Sequence, residues 1–499
     1  MTLASLFEQT AARDGGRTAI IWGDELITFL QIESRTRGLA QHLASKLGIR
    51  RGDRIAVLQK NSPDYIISLY GIYRAGATAV PLNVFLKPEE IRYILGDGGI
   101  KTIIISPEFE GHITKVREID STLLANVLQV GDAGWDELQK PIANETLPQI
   151  APDDLALLVY TSGTTGRPKG VMLTHANLSS NVTSCIRCLR AVHDDILLLA
   201  LPMFHSFMLT VGIALPLSAG ACILLVRTLM PFAPVLEEMV RQRVTIFLGV
   251  PALYQMLADA KIPPEIHDKL SIRLAISGSA PLPVETLTAF GQKFRFPLIE
   301  GYGLSEASPV VSLNPIEGVR KPGSVGLPIP EVEIALLDDA DREVPVGESG
   351  ELCVRGPNVM RGYFNQPEQT AATIRNDWLH TGDIAKKDSD GYYYIVDRKK
   401  DMLLVKGNNV YPREIEEVIY QIKGVSEAAV VGKPDKASGE LPVAFVVAAA
   451  GISLDEKAIR AFCKERLADY KLPREVRFLE KLPRNATAKV DKKELRKML

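Results

Sequence analysis

Cysteine is scarce in this chain of 499 residues: Cys185, Cys188, Cys222, Cys353 and Cys463 are scattered along its length. Such scatter excludes a disulfide framework and predicts a reducing, cytoplasmic setting. Cys185 and Cys188 have the spacing of redox and zinc sites, but no second pair accompanies them, and Ile186 and Leu189 fit an ordinary helix. Net charge is also nearly absent. Lys and Arg number 58 against 60 Asp and Glu, leaving −2, so nothing in the total suggests a nucleic-acid partner. Only the last 29 residues depart from this balance, with ten Lys and Arg against four acids, and a solvated surface is the plain reading of that tail. The first residues, MTLASLFEQTAARDGG, carry acids and no long apolar run, so no signal peptide is expected. Residues 196–226 lack Asp, Glu, Lys and Arg altogether, and their length exceeds the ~20 residues a membrane helix needs. Pro202, His205, Ser206, Pro216, Ser218 and Gly220 interrupt them, which predicts buried strands and a helix and no transmembrane segment; peripheral membrane contact stays open. Internal repeats and low-complexity segments are missing too.

What is present is alternation. TAIIW (18–22), RIAVL (54–58), KTIII (101–105), LALLVY (155–160), ACILLV (221–226), TIFLGV (245–250) and RLAISG (273–278) are continuous apolar runs. Parallel strands covered on both faces read this way. Helical patterns lie between them, such as 63–75, where Ser62 is placed to N-cap and Pro63 fits the first helical position. The fold class is therefore layered α/β for a large N-terminal domain. From about residue 320, frequent Gly and Pro predict a subdomain of short antiparallel strands resembling a barrel. The charged stretch DRKKD (397–401) has almost nothing to bury and reads as a linker. A small α+β domain follows: Ile415, Val418, Ile419 and Ile422 fall on one helical face, Gly424 is placed to end that helix, and another helix is predicted over 454–470. The domains are drawn at 1–397 and 402–499, with a hinge at 398–401.

The most informative segment is Thr161-Ser-Gly-Thr-Thr-Gly-Arg-Pro-Lys-Gly170, directly after a strand. Gly163, Gly166 and Gly170 allow close approach to an anion. Hydroxyls on Thr161, Ser162, Thr164 and Thr165 are phosphate donors, and Lys169 supplies a charge. A P-loop requires G-x-x-x-x-G-K-[ST]; here Arg167 and Pro168 separate the second glycine from the lysine, so that spacing fails.

TSGTTGRPKG resembles the phosphate loop of the adenylate-forming superfamily, which includes acyl-CoA synthetases, coumarate-CoA ligases, luciferases and peptide-synthetase adenylation domains. In that family's order there follow LPMFHSF (201–207), SGSAPLP (277–283), EGYGLSE (300–306), GELCVRGPNVMRGYF (350–364), TGD (381–383), DRKKDM (397–402), KGNNVYPREIE (406–416) and NATAKVDKKELR (485–496). The resemblance spans nearly the whole chain. It implies an enzyme that uses ATP, Mg²⁺ and coenzyme A on a small carboxylic acid, forming acyl-AMP and pyrophosphate and then acyl-CoA and AMP. By the same resemblance Thr161 to Lys169 hold the β- and γ-phosphates. Glu306, with the Thr161 hydroxyl nearby, takes Mg²⁺, and Ser305, where the family more often has Thr, meets the α-phosphate. Tyr302 stacks on adenine in a slot lined by Ser279, Ala280 and Gly301, and Gly303 is a further nucleotide-binding residue. Asp383 accepts the ribose hydroxyls, assisted by Arg398. Lys489, preceded by Ala488 where the family usually has Gly, bridges carboxylate and α-phosphate. Asp401 is the hinge of a domain rotation that brings Lys406 and Gly407 to the site for the thiol, and His205 closes over the carboxylate. Stretches such as GYGLSEASP look closest to bacterial medium- or long-chain fatty-acid ligases. An aryl acid, malonate, a carrier-protein acceptor, a luciferase-like oxygenation and a nucleotide-binding regulator are the alternatives. Acyl specificity is expected from segments around 203–209, 249–256 and 277–282, with Phe204, Phe207, Met208, Leu253 and Met256 as apolar candidates.

Overall fold

The computed structural model of the chain describes every residue except 163–167, 436–437, 450 and 485–489, and all side chains among the rest but those of Ser162, Pro264 and Glu265. Every apolar run singled out above forms a strand. Arg54–Leu58, Thr78–Pro81, Thr102–Ile105 and Asn126–Gln129 lie parallel in one sheet, which continues through Leu155–Ser162 to the antiparallel Pro168–Thr174 and Gly362–Tyr363. A second sheet sets Ile196–Leu199, Cys222–Leu225, Ile246–Gly249, Leu274–Ser277 and Leu298–Gly303 parallel. Several of these strands are buried at all four positions, as continuous hydrophobicity requires. One apolar cluster unites Ile55 and Val57 of the first sheet, Leu197 and Ile246 of the second, and Ile66 and Tyr70 of helix Pro63–Arg74. In that helix every residue but Asp64 is buried.

The charge-free segment 196–226 forms two strands flanking a π-helical stretch, Met208–Ala214, and a short helix, Leu215–Ala219. Among the described residues no helix is long and apolar enough to cross a membrane. Cys185 and Cys188 sit within helix His175–Leu189. A third, largely antiparallel sheet comprises Glu333–Leu337, Ser349–Arg355, Trp378–Lys387, Ile374–Arg375 and Tyr393–Arg398. The small C-terminal part is a sheet of Leu403–Val405, Asn408–Val410, Val425–Asp435, Gly439–Ala448 and Glu475–Phe478. Helices Pro412–Tyr420 and Glu456–Lys464 share a core with one of its faces, and Leu495 of Lys492–Lys497 packs with residues of the other.

Three local expectations are corrected. Ser62 stands at the N-cap, but its hydroxyl makes no cap bond and is buried unpaired; the apolar burial of helix Pro63–Arg74 holds the end instead. The helix from Pro412 stops at Tyr420, capped by Gln421, and Gly424 comes later, at φ +97° before the next strand. The helix expected over 454–470 runs only from Glu456 to Lys464, with a separate 3-10 turn at Asp469–Lys471.

Candidate active site

One side of the candidate site begins where Leu155–Ser162 pairs antiparallel with Pro168–Thr174, setting Thr161 opposite Lys169. Gly163, Thr164 and Thr165 lie outside the described residues, as does the side chain of Ser162. Lys169 is only 8% exposed. Burial pushes its ammonium below the ordinary lysine range, and the Glu306 carboxylate opposes that shift. The two groups meet through a segment that the sequence reading left without a role. The two-residue strand Gly362–Tyr363 adds to the edge of Pro168–Thr174, with Phe364 N–H donating to Gly170 O at 2.7 Å and Arg361 N–H to Met172 O at 2.9 Å. Tyr363 then donates its hydroxyl to Glu306 Oε1 at 2.9 Å, and Lys169 Nζ stands 5.1 Å from the centre of its ring.

A second side is built on strand Leu298–Gly303, whose end carries Gly301, Tyr302 and Gly303. Gly303 is required by the neighbouring backbone, since a Cβ there would lie 2.2 Å from Pro309 O; one on Gly301 would meet the movable end of Leu313 at 2.8 Å and Ser312 O at 3.1 Å. Tyr302 donates its hydroxyl to Asp383 Oδ2 at 2.5 Å. Burial, together with that carboxylate, keeps the phenol protonated. Arg398 is the cross-strand partner of Asp383, with Nε 3.5 Å from Oδ1. The turn presenting Asp383 is fastened from two directions. Gly382 sits at φ +73°, its N–H donates to Glu351 Oε1 at 3.0 Å, and its carbonyl accepts the Lys399 N–H at 2.8 Å. Ser279, at φ +69°, and the exposed Ala280 follow strand Leu274–Ser277.

Between these two sides lies Ser305, in a 3-10 turn directly after the Tyr302 strand. Its Oγ donates to Ser206 Oγ at 3.2 Å, which brings the LPMFHSF segment to the same place. The adjoining His205 is half-buried, accepts the Phe207 N–H at Nδ1 (3.3 Å), and leads into the π-helical stretch. Such stretches are common where side chains are aimed into functional sites.

Comparison with known proteins agrees with this arrangement. Residues 7–364 match the AMP-binding enzyme family and residues 414–489 its C-terminal domain. The chain belongs to the AMP-binding enzyme family. Among its relatives is a long-chain-fatty-acid–CoA ligase of Escherichia coli O6:H1, 36% identical, with 99% of this chain and 94% of the relative covered. A feruloyl-CoA synthase of an Amycolatopsis species is 37% identical over 96% of this chain and 95% of its own. Among solved structures, ATP-bound MatB from Rhodopseudomonas palustris superposes with a TM-score of 0.92 at 33% identity, covering 100% and 99% of the two chains. The apo form of the same protein, also 33% identical and covering the same shares, gives 0.82. These relatives bear out the expectation of an AMP-forming acid–thiol ligase.

Within this AMP-binding enzyme, Lys489, Lys406, Gly407 and Asp401 are the remaining residues of interest. Lys489 lies outside the described residues. Lys406 and Gly407 occupy the exposed tip of a hairpin, at φ +51° and +79°. Asp401 accepts a hydrogen bond from Arg496 at 2.9 Å and donates its own N–H to Arg398 O. The small domain also touches the large one at Asp397, whose Oδ2 accepts the Arg413 N–H at 2.8 Å.

Glu300, just before Gly301-Tyr302-Gly303 in the same strand, is 5% exposed and accepts the Leu282 N–H at 2.9 Å. Burial raises its carboxyl from 4.5 to about 7, with the Leu282 bond and Arg413 opposing and Glu417 adding to the rise. A folded value above the unfolded one contributes stability that is complete below pH 4.5 and is lost as pH rises through 7. That contribution is about 3 kcal/mol. Glu300→Gln keeps an acceptor for Leu282 without a charge to bury. Its melting temperature is expected to exceed the parent's by a few degrees above pH 7 and not at pH 4.5; an equal shift at both pH values would refute the burial cost. The motif EGYGLSE marks Glu300 only by position. Glu351 and Tyr363 lay inside GELCVRGPNVMRGYF, yet nothing in their spacing signals their partners.

Proposed function

We propose that the enzyme is an ATP-dependent carboxylic acid–CoA ligase acting on a medium- or long-chain fatty acid. The observation that carries this reading is the convergence of Tyr302, Asp383 and Arg398 on one side and Lys169 and Glu306 on the other, with Ser305 between them. Tyr302 and Asp383 hold the adenosine, Ser305 the α-phosphate, and Lys169 with Thr161, Ser162, Gly163, Thr164 and Thr165 the outer phosphates. Hard oxygen donors, one carboxylate and one hydroxyl, suit a divalent cation that also takes phosphate oxygens, so Glu306 and Thr161 would hold Mg²⁺. When bound it neutralises phosphate charge.

A carboxylate oxygen of the acid attacks the α-phosphorus, the bond to the β-phosphate bridging oxygen breaks, and pyrophosphate leaves. Catalysis of such a step is positioning and charge stabilisation more than covalent chemistry. Lys489 neutralises the developing charge, with His205 closing over the carboxylate. Rotation about Asp401, between domains 1–397 and 402–499, then brings Lys406 and Gly407 in for the coenzyme A thiol, which displaces AMP. The better superposition on ATP-bound than on apo MatB supports assigning the present arrangement to adenylation.

The choice of acid rests on the E. coli relative and on the lining segments 203–209, 249–256 and 277–282, which hold no Lys or Arg. A dicarboxylate such as malonate would bury its second charge unpaired there. An aryl acid is the second reading, favoured by the feruloyl-CoA synthase relative and by Phe207, whose ring would lie 3.4 Å from a Cβ on Gly278. Two assays test the proposal: ATP–pyrophosphate exchange and coenzyme A-dependent AMP release, across straight-chain, aryl and dicarboxylic acids. Both are expected to be fastest with straight-chain acids of medium to long length. Absence of exchange with every acid would leave only a nucleotide-binding regulator; exchange without coenzyme A-dependent AMP release would point to a carrier-protein acceptor. Tyr302→Phe removes one hydrogen bond to a charged acceptor and is expected to raise KM for ATP about fivefold to tenfold with kcat nearly kept. An unchanged KM would mean that the hydroxyl does not hold Asp383 in a working position.

A further inference from the structure

We infer that Tyr363 is a positioning residue, whose hydroxyl aims the Glu306 carboxylate and whose ring steadies Lys169, so that one side chain sets both charges for the metal-bound triphosphate. The inference rests on the reading of Glu306 as the cation's carboxylate. Three observations carry it. First, segment 360–364 is anchored to both elements that it serves: Met360 N–H donates to Glu306 O at 2.8 Å, while Arg361 and Phe364 donate to Met172 and Gly170 on the strand that carries Lys169. Second, Tyr363 is itself held. Its N–H donates to Thr370 Oγ1 at 2.9 Å, and its side chain is largely buried, so the ring has little freedom to turn. Third, the hydroxyl takes only one carboxylate oxygen. Glu306 Oε1 is occupied at 2.9 Å, whereas Oε2 accepts no hydrogen bond from a described residue.

That division matters for a small divalent cation. Mg²⁺ demands near-ideal octahedral geometry at short range, and a carboxylate that swings freely offers two oxygens in competing orientations. A hydrogen bond fixed on one oxygen leaves the other as the single defined ligand, in the way outer partners orient metal-binding groups generally. The ring adds a second effect. Lys169 is nearly stripped of water, and the negative face of an aromatic ring 5.1 Å away is one of few partners that stabilise such an ammonium without quenching its charge toward a phosphate.

The experiment measures binding of a non-hydrolysable α,β-methylene analogue of ATP by calorimetry, without acid, over a Mg²⁺ series and in EDTA. Tyr363→Phe keeps the ring and removes the hydroxyl. It is expected to raise the Mg²⁺ concentration that gives half the affinity gain about tenfold and to leave affinity in EDTA unchanged. Glu306→Gln should shift the Mg²⁺ dependence at least as far, and adding Tyr363→Phe to it should change nothing more, a non-additivity that general loosening of the fold would not produce. Tyr363→Leu removes the ring as well and should weaken binding in EDTA too. If Glu306→Gln leaves the Mg²⁺ dependence alone, the reading of Glu306 fails and the inference with it. If Glu306→Gln shifts it and Tyr363→Phe does not, or the two add, that reading stands and the hydroxyl's part is overturned. Equal binding by the Phe and Leu variants would overturn the part assigned to the ring.

Discussion

Lys489→Ala is expected to lower acyl-adenylate formation about a thousandfold while leaving thioester formation from added acyl-adenylate within a few-fold of the parent. The reason is the charge balance of the first step. A carboxylate approaching an α-phosphate brings two anions together, and Lys489 is the cation assigned to bridge them. Lys169 is engaged beside Glu306 and the Tyr363 ring, on the side assigned to the outer phosphates. It cannot serve both places. In the second step the adenylate carbonyl is already activated and the attacking group is a thiol, so the bridging cation has no anion pair left to join. Single-turnover measurement of each half-reaction checks this. Equal loss of both would remove Lys489 from the chemistry and leave it as one more cation in a basic tail.

The opposite selectivity is expected of Asp401→Pro. Thioester formation should fall about a hundredfold and adenylation only a few-fold. Proline fixes φ near −65° and removes a backbone donor. In the present arrangement the Asp401 N–H donates to Arg398 O and its carboxylate accepts from Arg496. Proline forfeits the first contact and the substitution deletes the second, which accounts for the modest cost to adenylation. The larger cost falls on rotation, since a hinge works by letting a few torsions change. Pre-steady-state kinetics separate the two: a normal burst of adenylate followed by slow thioester release is the predicted trace. A burst lost in parallel with turnover would place the hinge elsewhere.

Much of the large domain was legible because its parallel strands are buried on both faces and so read as unbroken apolar runs; all seven such runs are strands. Ends were less legible. Ser62 has the chemistry of a cap, but its hydroxyl is buried without a partner, so residue type alone misled. The helix before Gly424 ends at Tyr420, with Gln421 at its C-cap, so the glycine did not mark its end. For the site, the motif order supplied the residues and not their pairings. Tyr363 and Glu306 are 57 positions apart, Glu351 and Gly382 are 31 apart, and Ser206 and Ser305 are 99 apart. Such contacts are set by which strands lie side by side, and no local period encodes that.

The fastening of the Gly382 turn carries a further consequence. Its two anchors, the Glu351 carboxylate and the Lys399 N–H, and the Asp383 partners Tyr302 and Arg398, all precede Asp401 in the chain. The proposed rotation about Asp401 would therefore carry none of them away. The proposed adenosine grip and the proposed moving part are separate stretches of polypeptide, so on that reading the enzyme would exchange one set of catalytic groups for another without loosening its hold on the half-finished product. The reactive mixed anhydride would then stay bound while the groups around it change.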